Sequence, residues 1–317
     1  MPNSAPLAVT AGGKFQDPEF TADGSRRASV ALHRLETLWI NTGTLCNLAC
    51  RNCYIESSPH NDRLAYIRTD EVTAYFDEIA HMGGGVRVIG FTGGEPFMNP
   101  DFIAMLAEAL ERGFETLTLT NAMRPMTRHC EALLGLRARH GARLRIRVSL
   151  DHYTETLHEM ERGAHSWALT LAGLHWLDEN GFRPEVAGRT CWEEDEASAR
   201  AGYARLFAQL GLACNADDPI ELTLFPEMDA SASVPEISSA CWAALGKSSS
   251  DIMCSSSRMV VKRQGAVRPV VIACTLLPYD PRFELGETLS EATGPVPLNH
   301  VHCAKFCVLG GGACGGA

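Results

Sequence analysis

A chain of 317 residues with 45% hydrophobic content has room for one large domain, or one and a half, around a sizeable core. Its formal net charge of −10, with arginines scattered among acids and no basic stripe, excludes nucleic acid as a partner held through phosphate contacts. No apolar run approaches the ~18 residues of a membrane span, so no membrane partner is expected.

Residues 1–30 are rich in Ala, Gly, Ser, Asp and Pro and hold no signal-peptide core, so 1–35 reads as a flexible leader. Twelve cysteines in such an acidic chain point to a reducing compartment, the cytoplasm, where thiols are metal ligands or buried groups rather than disulfides. The run Leu38-Trp39-Ile40 predicts a first strand, and Cys46, Cys50 and Cys53 follow it in C-x3-C-x2-C spacing. Thiolates packed so closely read as ligands of one metal centre. Three ligands leave a coordination position open, which marks a reactive site rather than a closed structural one. The rival is a zinc knuckle lacking its fourth ligand, with only His60 nearby, or a set of buried thiols.

Val72, Tyr75, Phe76 and Ile79 recur at helical spacing, with Thr69 or Asp70 as N-cap and Gly83–Gly85 as the stop. Residues 86–91 predict a strand; Ile103, Leu106, Ala107 and Leu110 a helix; 116–120 a strand; 128–139 a helix. Strict alternation over 144–148 gives the clearest strand. Trp167, Leu171 and Leu174 mark a helix closed by Gly181, and a strand follows near Glu185-Val186. Tyr203, Leu206, Phe207 and Leu210 mark another helix, and 221–225 the last strand of the series. Strands alternating with helices imply right-handed βαβ units on a parallel sheet. With about six units the sheet is too short for an eight-fold barrel, so the expected fold is α/β, a partial (βα)6 TIM-like barrel over 36–226. Its chemistry belongs at the C-terminal strand ends, where the cysteine loop lies. Trp39, Trp167, Trp176 and Phe91 read as core.

Past Pro226 the alternation stops. Residues 226–257 read as a linker with a short helix at Ala240–Leu245. Two strands at 258–261 and 269–273 surround a turn at Gln264-Gly265, with Cys254 and Cys274 at the outer ends, and Cys303, Cys307 and Cys314 follow in a glycine-rich tail. Residues 227–317 thus form a small cysteine-rich β-hairpin and loop domain.

The loop Cys46–Cys53, with Tyr54 after its third cysteine, resembles the radical S-adenosylmethionine (SAM) superfamily. Thr92-Gly93-Gly94-Glu95-Pro96 looks like that family's GGEP motif: two glycines admit a ligand close to backbone, and Glu95 can accept from an ammonium group. Thr120-Asn121 resembles its TNG turn, with Ala122 in place of glycine; Ser149-Leu150-Asp151 resembles its S-x-D segment, and Arg162-Gly163 the RG that often follows. The resemblance covers about 38–225. It implies that Cys46, Cys50 and Cys53 hold a [4Fe-4S] cluster whose fourth iron binds SAM. Gly93, Gly94, Glu95, Asn121, Ser149, Asp151 and Arg189 are then SAM-binding, Arg189 toward the carboxylate. The activity implied is reductive cleavage of SAM to a 5′-deoxyadenosyl radical that takes hydrogen from a substrate.

The C-x10-G-x8-C arrangement and the C-x3-C-x6-C tail resemble the SPASM and shorter twitch extensions of that superfamily, incompletely, with Cys254, Cys274, Cys303, Cys307 and Cys314 as candidates. This implies one auxiliary [4Fe-4S] cluster on Cys254, Cys274, Cys307 and Cys314, with Cys303 the spare. Three ligands would leave an iron for substrate; four would suit electron transfer. A zinc ribbon is the bland alternative. Cys191, just after the fifth strand, is either a hydrogen-atom donor or a buried small hydrophobe. Asp151, His152 and Tyr153 could serve acid–base chemistry at the mouth.

The expected protein is therefore a radical SAM enzyme acting on a small molecule or peptide, reduced by flavodoxin or ferredoxin. With about 35 residues before the first strand, a peptide maturase would work without its own leader-binding domain, beside a separate recognition protein. The rival from another class is a non-enzymatic iron–sulfur or zinc protein.

Overall fold

The computed structural model describes residues 13–190, 192–226 and 233–312. Its strands are β1 (Ser29–Val30), β2 (Thr37–Asn41), β3 (Val88–Thr92), β4 (Glu115–Thr120), β5 (Leu144–Ser149), β6 (Glu185–Thr190), β7 (Leu222–Pro226), β8 (Ser257–Val261), β9 (Val270–Ile272), β10 (Glu284–Gly286) and β11 (Val296–Pro297). Helices α1 (Thr69–His81), α2 (Phe102–Glu111), α3 (Arg124–Thr127), α4 (Cys130–His140), α5 (Glu155–Arg162), α6 (Ser166–Glu179) and α7 (Glu196–Leu210) fill the crossovers, and α8 (Cys241–Leu245) follows β7. A π-helix spans Cys303–Leu309. No described helix is long and apolar enough to cross a membrane.

Strands β2 to β7 pair in sequence order, all parallel, giving the six βα units of a partial barrel. The sheet does not stop at β2. Strand β8 pairs parallel with the free side of β2, Thr37 opposite Ser257, and β9 and β10 add antiparallel beyond it. The C-terminal hairpin is therefore a continuation of the barrel sheet.

Alternation along the strands sorts the core into two layers. Leu38 and Ile40 of β2, with Ile89 and Phe91 of β3, pack under the helices. Trp39, Leu117, Met259 and Val261 face the other way, into a second cluster built with Cys254, Cys303 and Phe306. Residues 13–35 do not form a loose leader. β1 pairs with β11, and Arg27, buried, meets Glu236 at 2.5 Å. The local sequence there is polar, and distant partners hold it alongside its own turns.

Other differences are local. The cap of α1 is Arg68, whose N–H is taken by the Glu71 carboxylate at 3.0 Å, while the Thr69 N–H is taken by Asp101 at 3.1 Å. β3 starts at Val88 rather than 86, because it enters the sheet opposite Thr37 after three positive-φ glycines. β6 is six residues long, although it opens with a glutamate. Glu185 is buried there because Arg145 and Arg147 of neighbouring β5 reach it at 2.6 and 2.7 Å. Helix α5, ETLHEMER, has no apolar stripe for periodicity to reveal; it buries His158 and Glu161.

Candidate functional site

The C-terminal ends of β3 to β7 open into one cavity of about 990 Å³, measured out to its mouth. Cys46, Cys50 and Cys53 line it together with Gly93, Gly94, Asn121, Ser149, Asp151, Arg162 and Arg189. Most of the residues that sequence alone would place at the site thus share one wall system. Glu95 does not line it.

The cysteine loop and the glycine turn are stitched to each other. Gly94 N–H donates to Gly43 O at 2.8 Å, and Glu95 N–H to Leu45 O at 3.1 Å. A Cβ on Gly94 would lie 2.1 Å from the Leu45 carbonyl oxygen, so the turn can approach only as glycine. On the loop's other flank, Arg51 N–H donates to Glu161 O at 2.8 Å and the Asn52 amide to the Glu161 carboxylate at 2.7 Å. The expectation that Glu95 accepts from a ligand ammonium meets a different geometry. Its carboxylate is buried and takes Thr120 Oγ1 at 2.8 Å, Asn121 N–H at 2.9 Å and Phe97 N–H at 3.3 Å. Burial pushes its acid up to about 7 against those three donors. Asn121 in turn donates to Asn47 of the cysteine loop at 2.9 Å and lies 4.0 Å from the Cys46 sulfur.

Asp151 lies between two guanidinium groups, Arg162 at 2.8 Å and Arg189 at 3.1 Å. Burial would raise its carboxyl, but the arginines outweigh burial and hold it at about 2. Arg189 also feels the buried Glu161, so two guanidinium groups stand with two carboxylates on the wall beside the thiols. Cys46 is pushed up to about 12 by burial and by the Glu95 charge; Cys50 is also raised by burial, although Arg162 opposes this. Leu48 N–H points at the Cys46 sulfur at 3.4 Å and Ser57 N–H at the Cys53 sulfur at 3.3 Å. Among the described residues no group of three His, Cys, Asp or Glu side chains is already drawn together to hold a metal ion. The donor set still fits a thiolate-ligated, net-negative metal group: soft ligands, N–H donors to sulfur and guanidinium groups close by.

The described C-terminal thiols lie in or against the second core cluster, and their sequence neighbours Leu276 and Phe306 reach the cavity. Cys254 sits in a short 3-10 turn before β8, Cys274 follows β9, and Cys303 opens the π-helix. Burial lifts Cys303 far above the ordinary thiol range, and the Cys274 and Cys254 sulfurs add to it, so these three share one neighbourhood. Cys303, expected to be the spare, is thus drawn in with Cys254 and Cys274. Cys307 lies four residues further along the same π-helix. Cys191 and Cys314 fall outside the described residues.

His152 and Tyr153 stack on each other and share Glu194, at 3.3 and 2.6 Å, and neither lines the cavity. Sequence reasoning missed Arg162 as a wall residue, noting only its glycine pair. It also missed Phe225, Leu276 and Phe306, which form the apolar side of the mouth. A signal existed for two of them: Leu276 is two residues from Cys274, and Phe306 adjoins Cys307.

Residues 40–191 match the family model described as Radical SAM superfamily. The chain is 26% identical over 180 residues to the antilisterial bacteriocin subtilosin biosynthesis protein AlbA of Bacillus subtilis, covering 56% of this chain and 38% of that protein. It is 31% identical over 144 residues to the Fe-coproporphyrin III synthase of Methanosarcina barkeri, covering 44% and 33%. The matched stretches thus span little more than a third of these relatives. Among solved structures, Streptococcus suis SuiB bound to S-adenosylmethionine shares the fold at TM-score 0.58 and 12% identity, covering 80% of this chain and 63% of that one. SuiB bound to precursor peptide SuiA matches at TM-score 0.50 and 14% identity, covering 63% and 41%.

Proposed function

The chain belongs to the radical SAM superfamily of enzymes, and we propose that it cleaves SAM reductively in the cavity beneath Cys46–Cys53 and takes hydrogen from a small-molecule or peptide substrate. One observation carries this reading: a single cavity has three thiols on one side and the glycine turn, Asn121, Ser149 and the Asp151–Arg189 pair on the other.

In this reading Cys46, Cys50 and Cys53 hold a [4Fe-4S] cluster. When bound, that cluster and SAM supply one-electron cleavage and a carbon-centred radical. The chain's own residues do the rest. Gly93 and Gly94 let the methionyl part of SAM lie against backbone. Arg189, oriented by Asp151, offers its guanidinium to the SAM carboxylate. Asn121 and Ser149 offer polar atoms at the strand ends. Glu95 acts from below as a brace that fixes Thr120 and Asn121. Phe225, Leu276 and Phe306 exclude water from the substrate side. Cys191 is proposed as a hydrogen-atom donor. Cys254, Cys274 and Cys303, with Cys307 and Cys314 as further ligands, are proposed to hold one auxiliary [4Fe-4S] cluster behind that apolar side. The protein works in the cytoplasm with a flavodoxin or ferredoxin as reductant. The fold relative solved with a precursor peptide supports a peptide as one of the two substrate classes.

Anaerobic iron and sulfide loading tests the reading. Two clusters correspond to about eight irons per chain, with formation of 5′-deoxyadenosine only when a reductant is present. Zinc in place of iron, or no SAM cleavage in an iron-loaded sample, overturns it. Cys53→Ala should abolish SAM cleavage, whereas Cys274→Ala should leave cleavage uncoupled from substrate. Identical behaviour of the two variants would sink the division of labour between the thiol sets.

A further inference from the structure

Three arginines among the described residues are buried: Arg27, Arg147 and Arg258. Two of them face a carboxylate, Arg27 with Glu236 at 2.5 Å and Arg147 with Glu185 at 2.7 Å. Arg258, on β8 and 1% exposed, faces none among the described residues. It donates instead to four main-chain carbonyls: Cys254 at 2.6 Å, Ser257 at 2.8 Å, Ala292 at 2.8 Å and Gly294 at 3.2 Å. Carbonyls satisfy its N–H groups and leave its charge unbalanced, and an unbalanced buried charge is among the most costly features a core can hold.

The anions within its electrostatic reach are the sulfurs of Cys254 and Cys274. As thiols they carry no charge. Ligation to a metal removes those protons outright. Arg282, which also feels Cys303, is already matched by Asp280 at 2.6 Å. Among the described residues Arg258 has no carboxylate as counter-charge.

We propose that Arg258 is the fixed counter-charge of the thiolate-ligated centre at Cys254, Cys274 and Cys303 and sets its reduction potential. This rests on the reading of those cysteines as ligands of an auxiliary iron–sulfur cluster. Each electron added makes such a centre more negative, so a guanidinium held in a dry core favours the reduced form and raises the potential. Arg258 acts through the centre and touches no substrate.

The test uses the full chain with Cys46→Ala, Cys50→Ala and Cys53→Ala, so that only the C-terminal centre remains, loaded with iron and sulfide without oxygen and titrated by EPR at fixed potentials. The parent should take up about four irons per chain. Arg258→Lys keeps the charge and should keep the potential. Arg258→Gln keeps a donor and drops the charge; its reduced-to-oxidised ratio at a given potential should fall about tenfold, or ~59 mV for a one-electron couple. If the shorter glutamine unfolds the hairpin, Arg258→citrulline keeps the shape without the charge and gives the same comparison. A loaded parent with the same potential in the charged and neutral variants, or an equal shift in both, overturns the role of Arg258 alone. A parent that takes up no iron removes the cluster reading and this proposal together.

Discussion

Glu95 and Asp151 are both buried carboxyl groups, and their surroundings drive them in opposite directions. Glu95 has hydrogen-bond donors and only a minor pull from Arg162, so burial wins and its acid rises to about 7. Its proton is therefore bound more tightly in the folded state than in the unfolded one. The stability it contributes is fully present below about pH 4.5 and is lost as pH rises through 7. Between pH 5 and 8 the protein without cofactors should lose about 2–3 kcal/mol that Glu95→Gln does not lose, read from urea midpoints at the two pH values. Asp151 is lowered to about 2, so its contribution is constant above pH 4 and disappears as pH falls through 2. Asp151→Asn should cost about 3–5 kcal/mol at pH 7, because it strands two guanidinium groups. The same denaturation measured near pH 2 should show the difference smaller by about 2 kcal/mol, the part carried by the lowered carboxyl. At this scale the sequence was legible where spacing alone sets placement: Cys46, Cys50, Cys53, Gly93 and Gly94 all line the one cavity. It was not legible where meaning depends on a distant partner. Glu95 reads as a ligand contact until Thr120 and Asn121 are seen to occupy it, and Arg258 reads as an ordinary strand residue until it is seen to lack a carboxylate.

The elements around the cavity work as pairs. The glycine turn after β3 rests on the cysteine loop after β2, and the end of α5 holds that loop from the other side through Glu161. Gly94→Ala would push a methyl group into the Leu45 carbonyl and move both walls of the cavity at once. It should weaken SAM binding at least about tenfold, equivalent to ~1.4 kcal/mol, measured by equilibrium dialysis of the iron-loaded protein, with a loss of thermal stability alongside. Binding at the parent level would show that the close approach is not what shapes the site. Hydrophobic alternation located β5 and the apolar stripe located α1. Neither device could find α5, whose inward residues are His158 and Glu161, or set the length of β6, whose buried Glu185 is tolerated only because β5 supplies Arg145 and Arg147.

Across the whole molecule, the pairing of β8 with β2 makes one sheet of two regions that composition separates at Pro226. A chain ending at residue 226 would leave the long side of β2 without a partner and uncover Trp39, Leu117 and Leu119. Such an edge seeks other strands. This truncation should be aggregation-prone, and size-exclusion chromatography of the refolded fragment should show no monomer peak. The order of βα units was legible because each is local. The β2–β8 pairing and the anchoring of residues 13–35 were not, since no periodicity within either segment refers to the other.

That same pairing has a consequence for how the protein is made. Ser257 to Val260 leave the ribosome more than 200 residues after their partners in β2. At roughly 5–20 residues per second, β2 and the cysteine loop it carries wait some tens of seconds beside an open edge. During that interval the nascent chain exposes reactive thiols and unsatisfied backbone together. On the proposed reading, iron and sulfide would meet the final surroundings of Cys46, Cys50 and Cys53 only after β8 has been made.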